Sequence, residues 1–333
     1  MAHFQLPSTP DLPEASVETA FEVFRSGPAI AHPTSHLHRP DGLVRPASRR
    51  IARSDNHIRE TGRMPDHGLT SANAHPFPDL LSADDVRRSL SDPHAPVRHI
   101  PAGLDESFCR RAVSAADTLT YSAYDKTADS EDYSPILKVG PTVFDYIGKP
   151  IDPYLDEAAE SAHQMRAAFT AAGVPHPLDL ALDYFASTWD GEVAIAQEGG
   201  RPYFAGVLRD MAGGALPHVD HARKETPELT IGRTISQASL LFYLQAPSSG
   251  GALRVYDKAP TDVDDERHRL GYGYGPAAIA GATFSGVTPA TGSVVLFPST
   301  RIHSVDPVTG TGRRVTWSVF LGVTPEGTLL LWS

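Results

Sequence analysis

Cysteine is almost absent: Cys109 is the sole one in 333 residues. A lone thiol excludes an internal disulfide framework and any zinc cluster built on cysteines. Basic charge is also scarce, with 29 Lys and Arg against 40 Asp and Glu and a formal net charge of −11. That balance argues against broad binding to nucleic acid or anionic membranes, which needs a basic face. No apolar run approaches the roughly 20 residues that span a bilayer. Residues Met1 to Pro7 show no basic region followed by an apolar stretch, so no secretory signal is expected and a cytoplasmic location is the default. What remains is a chain long enough to bury a substantial core.

Composition shifts along the chain. Residues 1–78 are dense in Pro, Ser, His and Arg and hold no period beyond Ser16–Phe24, so they read as an irregular or partly disordered arm. Nine of the fifteen His fall in the first hundred positions, yet no pair there has metal-ligand spacing on a recognisable element. From 79 to 333 the pattern is globular. Ser82 and the acidic residues after it predict a capped helix, and Leu104–Val113 continues in that style. Pro153–Ala172, with Asp152 as N-cap, carries Tyr154, Ala158, Ala162, Met165 and Phe169 on one stripe. A further helix is expected over 178–189. After residue 200 short apolar strands alternate with Gly/Pro turns: 203–209, 239–245, 252–256, 292–298 and 313–321. A charged loop is expected over 257–269, and Trp317 is expected to pack between sheets. Helices upstream of many short strands predict a double-stranded β-helix, or jelly roll, packed by N-terminal helices.

One stretch organises the rest. In Leu216-Pro217-His218-Val219-Asp220-His221, His218 and Asp220 are two apart and leave extended backbone on the same face. No other His has an acidic residue two positions on. His303 is placed to supply a third donor. Two His and one carboxylate on one octahedral face leave three positions open, the ligand set of non-haem Fe(II) oxygenases. Arg313 and Arg314 follow on the next strand, where one guanidinium could pair with a carboxylate of a five-carbon diacid. Neighbours on a strand face opposite sides, so only one of the two can point at the metal.

These residues carry a resemblance. The order His218-x-Asp220, an apolar strand, Gly250-Gly251, Gly292–Phe297, His303-x3-Pro307-Val308-Thr309 and Gly312-Arg313-Arg314 resembles the 2-oxoglutarate/Fe(II)-dependent oxygenases of the prolyl-hydroxylase-like branch. Glu198–Gly206, Tyr243-Leu244-Gln245-x-Pro247, Gly250–Tyr256 and Gly271-Tyr272-Gly273-Tyr274 look like its small-molecule members, hydroxylases and halogenases of free amino acids. The likeness covers about residues 175–322. It implies His218, Asp220 and His303 as iron ligands, with 2-oxoglutarate and O2 as cosubstrates. It also implies Arg314 or Arg313 as the anchor of the 2-oxoglutarate carboxylate; Arg314, followed by Val315, fits the pattern better but needs a turn one residue longer. In halogenating members a small residue replaces the carboxylate, so Asp220 favours oxygen transfer, or a related desaturation or ring closure. The implied reaction oxidises an unactivated C–H and releases succinate and CO2.

Around these, Tyr243 and Ser318 are candidates to hydrogen-bond the cosubstrate. His221, Arg209 and Arg254 are candidates to meet the substrate, as is Arg233, though each is also an ordinary strand or loop residue. The expected partner is a small polar molecule, an amino acid or derivative, with no nucleic acid and no membrane. The alternatives are an oxygenase acting on a peptide or protein residue, and a non-catalytic β-sandwich binding protein.

Overall fold

The computed structural model of the chain describes residues 81–124 and 135–333. The arm expected over 1–78, its boundary with the rest and the helix expected near 16–24 lie outside them. Among the described residues the helices come mostly before the strands. Helix Ala83–Ser91 starts at a reciprocal cap: the Asp85 amide donates to Ser82 Oγ at 3.1 Å, and the Ser82 amide to Asp85 at 3.2 Å. Asp105 caps helix Glu106–Ala116 through the Phe108 amide at 3.0 Å. The long helix runs Asp152–Ala171, with Ile151 at the N-cap and Asp152 already inside the first turn, so Asp152 is not the cap. Its Tyr154, Ala158, Met165 and Phe169 are buried, as the stripe requires.

Two sheets follow. The larger contains β1 (Arg98–Ile100), β2 (Ser122–Ala123), β3 (Leu137–Val139), β4 (Val193–Ile195), β7 (Val207–Asp210), β9 (Ser236–Gln245), β14 (Val294–Phe297), β16 (Val315–Val323) and β17 (Leu329–Trp332). Its main path is β1-β14-β9-β16-β7-β3-β2, and β17 joins β16 to β4. The smaller has the order β13 (Phe284–Val287), β10 (Leu253–Tyr256), β15 (His303–Val305), β8 (Ala215–His218). Two ribbons stand apart: β5 (Gln197–Glu198) with β6 (Arg201–Pro202), and β11 (Arg269–Leu270) with β12 (Gly273–Tyr274). This is the jelly-roll core with flanking helices.

Period-2 alternation gives the large sheet two distinct faces. Leu240, Phe242, Leu244, Val294, Leu296, Trp317 and Val319 pack outward into one core with the helices. Leu241, Tyr243, Val295 and Phe297 turn inward and meet Leu253, Val255, Val287 and Val305 of the small sheet. Buried on both faces, these strands read as near-continuous apolar runs. Trp317 corrects an expectation here. It lies on the helix side, stacked on Phe242 at 4.8 Å, not between the sheets. A second correction concerns 257–269, where Thr261 and Asp264 form a reciprocal cap and start a short helix, Asp262–His268. A run dense in charge is still helical when the cap and acidic first turn suit the macrodipole. The strand expected from 203 starts only at Val207, because Gly206 has φ +100 and its Cα lies against the Trp317 indole. Gly206→Ala would both strain the backbone and overlap that ring, so a loss of about 2–4 kcal/mol is expected from the urea midpoint at unchanged slope.

His176 gives a pH-dependent term. It caps helix Pro177–Thr188, its Nδ1 accepting from the Leu178 amide at 3.1 Å, and burial lowers its pKa to about 4. The unfolded chain therefore binds more protons between about pH 6.5 and pH 4, and this contribution is full above the window and lost as pH falls through it. His176→Asn keeps a capping oxygen that does not titrate. Its stability should fall less than wild type across that window, by up to roughly 3 kcal/mol, in parallel denaturations at pH 7 and pH 4.

Candidate metal centre and its cavity

β8 and β15 are antiparallel neighbours, and their register sets His218 directly opposite His303. The two imidazole centroids are 4.2 Å apart. Each ring is turned the same way: His218 Nδ1 lies 2.7 Å from the Leu216 carbonyl and His303 Nδ1 lies 2.9 Å from the Arg301 carbonyl. A carbonyl only accepts, so Nδ1 carries the proton in both and Nε2 keeps its lone pair. Asp220 follows β8 by two residues. Its amide donates to the Ser299 carbonyl at 3.0 Å, and its own carbonyl accepts from Gln237 at 3.0 Å. That fixes its carboxylate 3.3 Å from His303 Nε2. Donor atoms of His218, Asp220 and His303 all lie within 4.8 Å of one another.

The electrostatics suit a divalent cation. Burial, reinforced by His303, pushes His218 down to about 4, so the imidazole stays neutral. Burial alone would raise the Asp220 carboxyl, but the His303 ring beside it and nearby positive charge, that of Arg209 included, outweigh burial and keep the carboxyl below its ordinary range. A neutral His218 and an ionised Asp220 are in the protonation states that ligation requires. The donor set and its spacing thus fit Fe(II).

A cavity between the sheets opens on this cluster. Apolar side chains such as Ile136, Leu241, Leu253, Phe297 and Val305 line much of it. Arg314 enters from the residue before β16. β16 lies in the sheet facing β15, so Arg314 reaches into the barrel from the opposite wall. The residue is 1 % exposed, and its guanidinium donates to the Gly251 carbonyl at 2.9 Å and Tyr243 Oη at 3.1 Å. Among the described residues none of its bonds goes to a carboxylate. Arg313 points the other way, to Asp210 at 2.7 Å and to Asp117. Ser318 Oγ faces the cavity and accepts from Arg209, another lining residue.

Arg254 and His221 lie outside this cavity. Arg254 is held by Asp306 through two bonds of 2.7 Å on the far side of β10, and its guanidinium stacks on Phe284. His221 ends up in a separate hollow beside Thr234 and Thr300, because the chain turns at Asp220 into a short helix, Ala222–Glu225. Arg233 lies in the 3-10 turn Thr230–Arg233, not on a strand.

Among the cavity residues without an assignment from sequence, Thr316, Tyr272 and Asp145 stand out. Thr316 Oγ is fully buried with no hydrogen-bond partner among the described residues, and it sits on the same face as Arg314 two residues earlier. That two-residue spacing was its available signal. Tyr272 Oη accepts from the Leu216 amide at 2.8 Å, and its ring stands edge-on to His218. Asp145 is a buried lining residue paired with Lys138 at 3.3 Å, a contact no local pattern announces.

Comparison with known proteins now bears on the class. The family of the carrier-protein-independent halogenase WelO5 matches residues 107–333. The chain belongs to that family. The L-gamma-glutamyl-L-propargylglycine hydroxylase of Streptantibioticus cattleyicolor is 32 % identical over 268 residues, covering 77 % of this chain and 96 % of that one. Leucinostatins biosynthesis cluster protein S of Purpureocillium lilacinum is 32 % identical over 152 residues, 42 % of this chain and 62 % of that one. Among solved structures, an N-substituted L-amino acid dioxygenase from Burkholderia ambifaria AMMD has the same fold. Its TM-score is 0.51 at 14 % identity, covering 76 % of this chain and 92 % of that one. The protein is therefore an enzyme, a 2-oxoglutarate/Fe(II)-dependent oxygenase with a jelly-roll core, not a non-catalytic sandwich. No described helix of the enzyme is long and apolar enough to cross a membrane.

The Lys138–Asp145 pair makes one wall of the enzyme's cavity testable by itself. Lys138→Met leaves a buried carboxylate without its cation and should cost about 3–5 kcal/mol in a denaturant titration. Replacing both members together with apolar residues should cost much less.

Proposed function

We infer that the enzyme hydroxylates an unactivated C–H of an amino acid or amino-acid derivative. His218, Asp220 and His303 hold Fe(II), and Arg314, Tyr243 and Thr316 hold the distal carboxylate of 2-oxoglutarate. Bound there, the metal supplies activation of O2 at the expense of 2-oxoglutarate, which leaves as succinate and CO2.

The chain's own residues do the rest. The Leu216 and Arg301 carbonyls hold the two Nδ1 protons and so aim both Nε2 atoms inward. Arg314 is already fixed by two oxygens, so little ordering entropy remains to be lost when it meets a carboxylate. Thr316 offers a buried hydroxyl that has no hydrogen-bond partner among the described residues. The apolar lining keeps water from the reacting carbon and strengthens each charge contact within. Asp220 carries the choice of outcome: its carboxylate takes the position that a halide would need. Oxygen transfer is favoured over halogenation for that reason, although the family is named for a halogenase. The hydroxylase from S. cattleyicolor, whose name specifies a glutamyl amino-acid derivative, supports the substrate class.

Full-length enzyme supplied with Fe(II), 2-oxoglutarate and O2 should release succinate. His303→Ala should lose metal binding and turnover together, and turnover that survives this change rejects the ligand assignment. Arg314→Met should raise the KM for 2-oxoglutarate by roughly 10–100-fold with metal binding retained. Mass spectrometry of the product in chloride buffer should show added oxygen and no chlorine.

A further inference from the structure

Three arginines line the cavity; Arg269 has Glu225 and Asp265 as its acids, each at 3.9 Å, and 2-oxoglutarate satisfies only one of the other two. Its distal carboxylate goes to Arg314 and its other end to the metal, which leaves Arg209 over. Arg209 sits on β7, paired in register with Thr316 of β16 and with Lys138 of β3. Its Nε donates to Tyr124 Oη at 2.7 Å and its Nη1 donates to Ser318 Oγ. Both partners are neutral, and burial pushes the Tyr124 phenol up to about 12, which keeps it so. Among the described residues Arg209 forms no ion pair. The acids near it are otherwise engaged: Asp145 by Lys138 and Thr142, Asp210 by Arg313. Arg209 is nevertheless close enough to His218 and Asp220 to act electrostatically on both.

A partly buried guanidinium held by two hydroxyls is oriented but not neutralised. Its remaining N–H groups suit a carboxylate. The two guanidiniums are held at different places, Arg314 by Gly251 and Tyr243 and Arg209 by Tyr124 and Ser318, so each addresses its own part of the cavity. We propose that Arg209 binds a carboxylate of the substrate beside the metal centre and is the specificity-determining residue of this site. The proposal rests on the reading of Arg314 as the cosubstrate anchor. It narrows the substrate class to compounds with a free carboxylate a few bonds from the carbon that is oxidised. Carboxamides, esters and decarboxylated amines are excluded.

The test uses full-length enzyme with Fe(II), 2-oxoglutarate and O2. L-amino acids and their N-acyl and γ-glutamyl derivatives are each supplied as the free acid and as the carboxamide, and stimulated succinate release is recorded. For the compounds that stimulate, the free acid should exceed its carboxamide by about 100-fold or more in kcat/KM. In Arg209→Met the acid should fall by a similar factor and the preference over the amide should shrink to about fivefold or less. The Kd for 2-oxoglutarate, titrated without O2 by the visible absorption of the Fe(II) complex, should move less than about threefold in Arg209→Met and more than about tenfold in Arg314→Met. An amide as good as its acid in the wild type overturns the proposal whether or not the variant folds. So does an Arg209→Met protein that weakens 2-oxoglutarate as Arg314→Met does, or a panel in which no acid stimulates. A wild type that neither binds Fe(II) with 2-oxoglutarate nor releases basal succinate fails at the earlier step, and the titration without O2 identifies that case.

Discussion

The structure turns on one cross-strand pair. His218 and His303 face each other because β8 and β15 run antiparallel in a single register, and a slip of one residue would send one imidazole to the other face. Most of what aims the donors is backbone: a carbonyl two residues upstream of each ring, and an amide–carbonyl bond from Asp220 to Ser299, with Gln237 and Tyr272 bracing the same stretch from their side chains. The donor geometry therefore follows in the main from strand pairing. Metal sites built on strands gain their accuracy this way.

The large sheet separates stability from chemistry by the same alternation. Along β16, Val315, Trp317 and Val319 enter the helix-packed core, and Thr316 and Ser318 line the cavity. The polar residues on the inner face are ones a purely structural sandwich would fill with apolar groups. Among the described residues Arg314 meets no carboxylate and Thr316 Oγ no hydrogen-bond partner, and capacity left unmet in a buried place costs stability. Such residues mark a site, and here they are contiguous.

Much of this was legible in sequence, for definite reasons. The His218-x-Asp220 triplet is local, and its geometry follows from the period of extended chain. The caps at Ser82 and Asp105 are equally local, and the apolar strands announce themselves by composition. What sequence left open was tertiary. Arg313 and Arg314 are adjacent, and only the register of β16 with β7 and β9 decides which enters the barrel. Trp317 was placed in the wrong layer because alternation gives a face, not the identity of what covers it. Arg254 looked like a pocket residue by its strand, but Asp306 lies on the far side and holds it there. Lys138 and Asp145 meet across a turn that no spacing rule describes.

Tyr272 ties two properties together that are usually separable. Its hydroxyl holds the amide of Leu216, whose carbonyl in turn aims His218, and its ring forms part of the cavity wall. The β11–β12 hairpin region is thus both a boundary for whatever enters and a clamp on the strand end that carries a donor. Sequence drift there cannot widen the chamber without also loosening an imidazole, so relatives that accept bulkier molecules must secure Leu216 by some other contact.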